Sequence, residues 1–209
     1  FIIYKPDIMP KCYEMLKYWN ELAIEAGFPG MFFGCQFPTA FRNSDNEKKF
    51  DFVIEFEPLY TRTEEQNFIN ISTSKGKWKL AWHNFPLFLD ICFKKICNKK
   101  FGKPIIYDYE KTCEQIVSRD PYFSNAVPGM FTSWDKTPRN GNKATIYKGS
   151  TPKSFGKYLK KQMDRACNVY KTEYLFITAW NEWGEGAYLE PDQENGYEYL
   201  EALRKAIEK

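Results

Sequence analysis

Leu175-Phe176-Ile177-Thr178-Ala179-Trp180-Asn181-Glu182-Trp183-Gly184-Glu185-Gly186 begins as an unbroken apolar and β-branched run and ends in two carboxylates three residues apart. A run without in/out alternation, bounded by turn residues, is the pattern of a strand inside a parallel sheet, where both faces are covered. The carboxyl ends of such strands open into the cleft where ligands bind. Glu182 and Glu185 are therefore predicted to stand at a site. Trp180 and Trp183 offer flat apolar faces on which a sugar ring can stack through its C–H groups, and Asn181 can both donate to and accept from hydroxyls. Glycosidic chemistry commonly uses two carboxyl groups flanking one bond, one protonating an oxygen and the other acting as base, nucleophile or charge stabiliser. An isolated E-x-x-E is more often a pair of surface acids near a helix start, where the dipole favours them. The strand end and the flanking tryptophans turn this instance toward chemistry.

Outward from that stretch, strands are predicted at residues 2–4, 31–34, 52–56, 130–133 and 175–179, five in all. Helical patterns separate them, the alternation of an α/β chain built from parallel βα units. Residues 10–26 set Tyr13, Leu16, Leu22, Ala23 and Ala26 largely along one helical face and end at Gly27, a favourable residue just past a helix. Thr151-Pro152 supplies a cap and a first-turn proline, and Phe155, Tyr158, Leu159, Met163 and Ala166 follow at helical spacing. The last helix, from about Glu194, is predicted to turn Tyr197, Leu200, Leu203 and Ile207 inward. Residues 57–127 are too long for a simple connection and carry helices of their own, near residues 63–71, 85–99 and 108–118. They are expected to form an elaborated loop region on the active face. The whole of 1–209 reads as one domain without a linker.

Trp134-Asp135-Lys136-Thr137-Pro138-Arg139-Asn140-Gly141 follows the fourth strand and should point toward the same end as Glu182. Trp134, Asp135 and Arg139 are candidate substrate contacts. Asp135 can accept from sugar hydroxyls, and Arg139 can fork onto a carboxylate, a phosphate or two hydroxyls. The same residues also suit a plain turn, in which Asp135 bonds its own backbone. Glu190, ahead of Pro191-Asp192, either supports the site or caps the last helix, and Asp192 suits the cap better. Glu57 after the third strand is a further candidate, with a solvent-facing role as the default. Tyr107-Asp108-Tyr109 suits a saccharide groove or an ordinary surface. His83 is the only histidine, so a histidine-rich metal site is excluded and a Ser/His/Asp triad would rest on it alone. No metal or cofactor is called for, and neither a Walker loop nor G-x-G-x-x-G is present.

Asn181-Glu182-Trp183-Gly184-Glu185-Gly186-Ala187-Tyr188-Leu189-Glu190-Pro191-Asp192, followed by Gly196-Tyr197-Glu198-Tyr199-Leu200-Glu201-Ala202-Leu203, resembles the signature of the WbsX-type glycosyltransferases. Those are grouped with a domain similar to glycoside hydrolase family 99, the endo-α-mannosidase family. Trp134 to Gly141, with Gly149-Ser150-Thr151-Pro152, resembles the "WDNTPRRG … GSTP" region of the same group. The resemblance implies a (β/α)8 TIM-type barrel acting on carbohydrate. It implies that this chain is the C-terminal part of that barrel, about five βα units, with three preceding Phe1. It also implies that Glu182 assists the hydroxyl neighbouring the reacting carbon and that Glu185 is the acid/base at the leaving oxygen, retention passing through a 1,2-anhydro sugar. Gly184 stands where the hydrolases carry His, and Lys136 and Asn140 where the second block has Asn and Arg.

At 209 residues and 24.8 kDa the chain lies at the lower edge for an eight-stranded α/β barrel. A five-strand piece exposes a long apolar edge, so the segment expressed alone is expected to be unstable. The composition, 43% hydrophobic and 18% aromatic, is that of a folded interior. No apolar stretch approaches the roughly 20 residues of a membrane span. The net charge of +3 comes without a basic run interleaved with aromatics, which argues against nucleic acid as a partner. Six cysteines without a C-x-x-C pair read as buried reduced thiols of a cytoplasmic protein. Asn70-Ile71-Ser72 fits a glycosylation sequon. The expected partner is an oligosaccharide or polysaccharide, joined by a nucleotide-sugar donor if the enzyme is a transferase of surface-polysaccharide (O-antigen or capsule-type) assembly. An endo-acting, α-mannosidase-like hydrolase is the alternative reading, and a non-catalytic saccharide-binding barrel the second alternative.

Overall fold

The computed structural model describes residues 1–37, 49–62 and 85–208. The predicted helix at 63–71, the sequon at Asn70 and His83 lie outside the described residues. In chain order the elements are β1 (Ile2–Tyr4), α1 (Cys12–Glu25), β2 (Gly34–Phe37), β3 (Phe52–Glu55), α2 (Phe85–Phe101), β4 (Ile105–Asp108) and α3 (Tyr109–Ser118). They continue with β5 (Ala126–Val127), β6 (Gly129–Phe131), β7 (Trp134–Asp135), the single turn α4 (Thr137–Asn140), β8 (Thr145–Lys148) and α5 (Pro152–Arg165). The chain closes with β9 (Phe176–Thr178), β10 (Asn181–Glu182), β11 (Ala187–Tyr188) and α6 (Glu198–Ile207).

The architecture is mixed α/β with parallel sheets. β1, β2, β3 and β5 form a four-stranded parallel sheet in that order. β6 pairs in parallel with β9, Gly129 opposite Phe176 and Phe131 opposite Thr178. Only Pro128 separates β5 from β6; having no N–H it interrupts the ladder, while its carbonyl accepts from Phe176 N at 3.0 Å. The five predicted parallel strands are thus all present, with one displaced: residues 31–34 give way to Gly34–Phe37. The Phe52 ring lies where a Gly34 side chain would be, within 2.1 Å of an added Cβ. Upstream of it, Met31 and Phe33 donate their N–H groups to the side chains of Asn20 and Asp51, at 2.8 and 2.7 Å. Those side chains take the donors a ladder would otherwise use.

Strands that the apolar runs did not announce form a third sheet, β4 parallel to β8 and β8 antiparallel to β7. The 57–127 region is therefore not self-contained: its strand β4 pairs with β8, and its end, β5, joins the main sheet. Tyr107 stacks on Tyr147 across that pair, Asp108 caps α3 by accepting from Lys111 N at 2.8 Å, and buried Tyr109 donates to the Phe131 carbonyl at 2.9 Å. All three residues thus hold structure, and Tyr109 is fully buried.

Thr151 and Ser154 close a reciprocal capping box at the start of α5, satisfying two otherwise orphaned donors. Phe155, Tyr158 and Leu159 are fully buried against α3, β6 and α6, each contributing on the order of 1.5–3 kcal/mol of apolar burial. α6 presents Tyr199 and Ala206, with Leu200 and Leu203 partly covered. Tyr197 and Ile207, expected inward, are exposed, because the helix starts at Glu198 and its phase differs from the one assumed. A second cluster packs Cys12 and Leu16 of α1 onto Ile3, Cys35 and Val53, while Leu22 is exposed. Of the six thiols, all free, Cys12, Cys35 and Cys113 are buried, Cys92 and Cys97 are intermediate and Cys167 is exposed.

Candidate active site

Beyond β9 the chain turns at once into a small hairpin. β10 and β11 pair Asn181 with Tyr188 and Glu182 with Ala187, and Trp183–Glu185 form a 3-10 turn between them. The tip is tied to the segment after β6. Ser133 Oγ donates to the Gly186 carbonyl, and the Thr132 N–H donates to the Thr178 carbonyl at 3.1 Å. Gly186 lies at φ +60° with Asp135 within 3.2 Å of an added Cβ, so both the backbone and the close approach require glycine. Glu182 and Glu185 consequently share one face. Both line a cavity of about 220 Å³ with Gln36, Ile54, Thr178 and Ala179, at the C-terminal ends of β2, β3 and β9.

Two cations from α4 and the residue before it meet these acids. Arg139 Nη2 donates to Glu182 Oε1 at 2.6 Å, and Nη1 donates to Glu185 Oε1 at 3.1 Å. Lys136 Nζ stands 2.9 Å from the same Glu185 oxygen. The side chains of Glu182 and Glu185 are 38% and 12% exposed, that of Arg139 53%. Arg139 is thus the one predicted contact of the second block that joins the acid pair.

Trp183 stacks on Tyr188 with ring centroids 3.8 Å apart, and its Nε1 donates to Glu190 Oε2 at 2.6 Å. Glu190 therefore fixes an indole. Asp192 accepts from the N–H groups of Glu194 and Asn195, closing the turn ahead of α6 without capping that helix, whose N-cap Tyr197 makes no side-chain cap. Bonds from Asn195 hold the Asp192 carboxyl below its ordinary range. Burial, reinforced by Asp192, pushes the Tyr188 phenol up to about 12, so it stays neutral beside Trp183. Trp180 is 56% exposed and Asn181 is exposed, both available to a ligand. Trp134 departs from the candidate set: at 1% exposure it sits in the core with Phe131 and Tyr147, its ring covered. Asp135 accepts from Thr137 N at 2.7 Å and from the Thr137 hydroxyl, the turn alternative foreseen for it.

Lys136 and Gly184 belong to the site as well, and both stand where the chain departs from the motif it resembles. Glu55, at the end of β3, lines the same cavity and belongs to a second polar assembly that no local pattern announced. Glu55 and Glu57 are both fully buried and share Arg119 Nη2, at 2.5 and 2.7 Å. Arg119 Nη1 also donates to Thr61 Oγ1 at 2.7 Å, and Tyr170 donates to Glu55 Oε2 at 2.8 Å. Burial raises the Glu57 carboxyl above its usual range, the Arg119 guanidinium lowers it in part, and Glu55 raises it further. Among the described residues no group of three or more His, Cys, Asp or Glu is arranged to hold a metal ion.

The model of one family, Glycosyltransferase WbsX, matches residues 1–203. The chain belongs to the WbsX glycosyltransferase family. Two curated relatives, each described as uncharacterized protein WxcX and coming from two strains of Xanthomonas campestris pv. campestris, are 25% identical over 209 residues, which is 99% of this chain and 26% of the relative. The chain therefore spans about a quarter of the length of these relatives. A solved structure described as a glycoside hydrolase-like protein aligns at 12% identity with a TM-score of 0.48, covering 94% of this chain and 50% of that one.

Proposed function

We propose that this WbsX-family chain is the catalytic part of a carbohydrate-active enzyme and that Glu182 and Glu185 are its reacting pair. The observation that carries the reading is the arrangement of these acids on one turn at the ends of parallel strands. They face a cavity about the size of a single sugar ring, and Trp180 and Trp183, next to them in the chain, are exposed. In the proposed chemistry a proton passes from the Lys136 ammonium, 2.9 Å from Glu185, through the Glu185 carboxyl to the departing glycosidic oxygen, while Glu182 draws the proton from the neighbouring hydroxyl that attacks the reacting carbon. Asn181 and the exposed indole faces orient the ring. The five parallel strands in the order β1, β2, β3, β5–β6, β9 support reading residues 1–209 as βα units of a (β/α)8 barrel, with 57–127 an elaboration of its active face.

Glycosyl transfer in polysaccharide assembly, of the O-antigen or capsule type, is the first reading, supported by the family. Endo-acting hydrolysis is the second, supported by the sufficiency of two carboxyl groups to cleave a glycoside. A non-catalytic saccharide-binding role is the third. A cytoplasmic site of action goes with the first reading; no described helix is long and apolar enough to cross a membrane.

The test uses the protein expressed from its complete reading frame, wild type and Glu185→Gln, incubated with oligosaccharides with and without nucleotide-sugars, with product masses read out. A hexose-sized gain that requires donor establishes transfer, and donor-independent shortening establishes hydrolysis. Binding without turnover in the wild type favours the third reading. Activity that survives Glu185→Gln unchanged rejects the catalytic assignment.

A further inference from the structure

Arg139 bridges the two acids in an unusual way, giving one N–H to each of Glu182 and Glu185 where guanidinium groups commonly fork onto a single carboxylate. The space it occupies is made by Gly184. A Cβ there would lie 2.7 Å from Arg139 Nε and 3.0 Å from Nη2. The Gly184 backbone lies outside the left-handed region, so its conformation admits any residue, and a side chain there would push the guanidinium from its present place. A glycine with no conformational need, placed between two acids and filled by a cation from another element, is a built seat for that cation.

We propose that Arg139, with Lys136 beside it, selects a saccharide carrying an anionic group, a carboxylate or a phosphate ester, next to the bond on which Glu182 and Glu185 act. The proposal rests on the carbohydrate reading above. A sugar ring entering between the acids must come between them and the guanidinium that now spans them. A neutral ring breaks both charge-assisted bonds and offers the freed cation only hydroxyls. An anionic group offers it two oxygens in a plane, the partner that the guanidinium fork fits best. Arg139 is half exposed and can turn toward such a group. Glu185 keeps Lys136 at 2.9 Å when it does, whereas Glu182 loses its Arg139 partner and is left open to the substrate. The exchange therefore frees one acid and keeps the other held.

The experiment titrates the complete protein with a uronate-containing oligosaccharide, its carboxyl-reduced neutral counterpart and a phosphorylated form of that neutral sugar, reading affinity by calorimetry and turnover by mass. Wild type is expected to bind one charged form about 10–100-fold more tightly than the neutral one, and whichever form is preferred identifies the anion. Arg139→Gln should bring that ratio close to one. Gly184→Ala, which pushes the guanidinium from its place, should lower the ratio in part, and Arg139→Lys should retain part of it. A purely structural Arg139 would leave the ratio unchanged. Equal affinity for charged and neutral forms in the wild type, or a ratio untouched by Arg139→Gln, overturns the proposal while leaving the carbohydrate reading intact. If no saccharide of either charge binds, the carbohydrate reading fails and takes this proposal with it.

Discussion

Replacing Arg119 by Met should be among the most costly single changes in the described part of the chain. Met keeps much of the length and apolar stem of the side chain and removes the charge. The guanidinium is the cation shared by two carboxylates that are 0% exposed, at 2.5 Å from Glu55 and 2.7 Å from Glu57. Without it Glu55 retains the Tyr170 hydroxyl at 2.8 Å and Glu57 the Thr61 N–H at 3.2 Å. Two buried negative charges remain with no cation between them. Removing one partner of a buried ion pair costs about 3–5 kcal/mol, because the other charge is stranded in low dielectric. At about 2–4 °C per kcal/mol for a domain of this size, the melting temperature should fall by roughly 6–20 °C. Proton uptake by Glu57 relieves part of the penalty, so the loss should be larger at neutral than at acidic pH. Amide exchange of peptides covering residues 52–62 and 113–131, followed in the complete protein, reports the local opening free energy directly. Adding Glu57→Gln to Arg119→Met should restore part of the loss. If Arg119→Met costs less than about 1 kcal/mol, the range of an exposed pair, the buried-network account is refuted.

Glu57→Gln alone tests the proton. Because burial raises the folded carboxyl above its reference value of 4.5, its contribution is fully present below that value and lost as pH rises through the folded pKa. Wild type should thus lose stability over that rise and Glu57→Gln should flatten the slope, as read from denaturation across a pH series. Thr151→Ala removes one half of the capping box on α5 and should cost about 0.5–2 kcal/mol by the same denaturation assay. The two kinds of tryptophan should separate: Trp134→Ala is expected to cost about 3–5 kcal/mol of stability. Trp180→Ala should leave the melting temperature in place and weaken saccharide affinity by roughly 2–10-fold. A binding loss from Trp134→Ala at unchanged stability would contradict the core position assigned to it.

The juxtaposition of Glu182 and Glu185 was legible because it depends only on local geometry: a strand stops, three residues turn, and two side chains emerge on one side. The parallel strands were legible for a similar reason, since a fully covered strand must be apolar throughout. β8 was harder. Thr145-Ile146-Tyr147-Lys148 alternates buried and less buried residues, the pattern of a strand with one open face, and it contains no apolar run to catch the eye. The two tryptophans flanking acidic residues looked alike in sequence and have opposite fates. Trp134 is buried because β7 pairs antiparallel with β8, opposite Tyr147, and brings the indole into the core cluster that also holds Phe131. Trp183 is held half open because Tyr188 and Glu190 grip it from the far side of a hairpin.

What stayed hidden shares a physical cause: it depends on pairs distant in sequence. Glu57 reads as an ordinary surface acid until Arg119, 62 residues later, arrives from the end of α3. Arg139 reads in sequence as either a substrate contact or a turn residue, and its pairing with acids 43 and 46 residues away appears only once β6 docks beside β9. Yet each partner left a mark in the chain. Gly184 has no backbone reason to be glycine, and Lys136 places a second positive charge in a turn that already carries Arg139. A glycine without a turn to make and a cation without a local acid are each unremarkable alone. Together they say that the cation's partner is elsewhere and that room has been left for it. On the proposed reading the Arg139–Gly184 pair is separable from Glu182 and Glu185 by experiment, because the first would set which charge the substrate carries and the second which bond is broken or made.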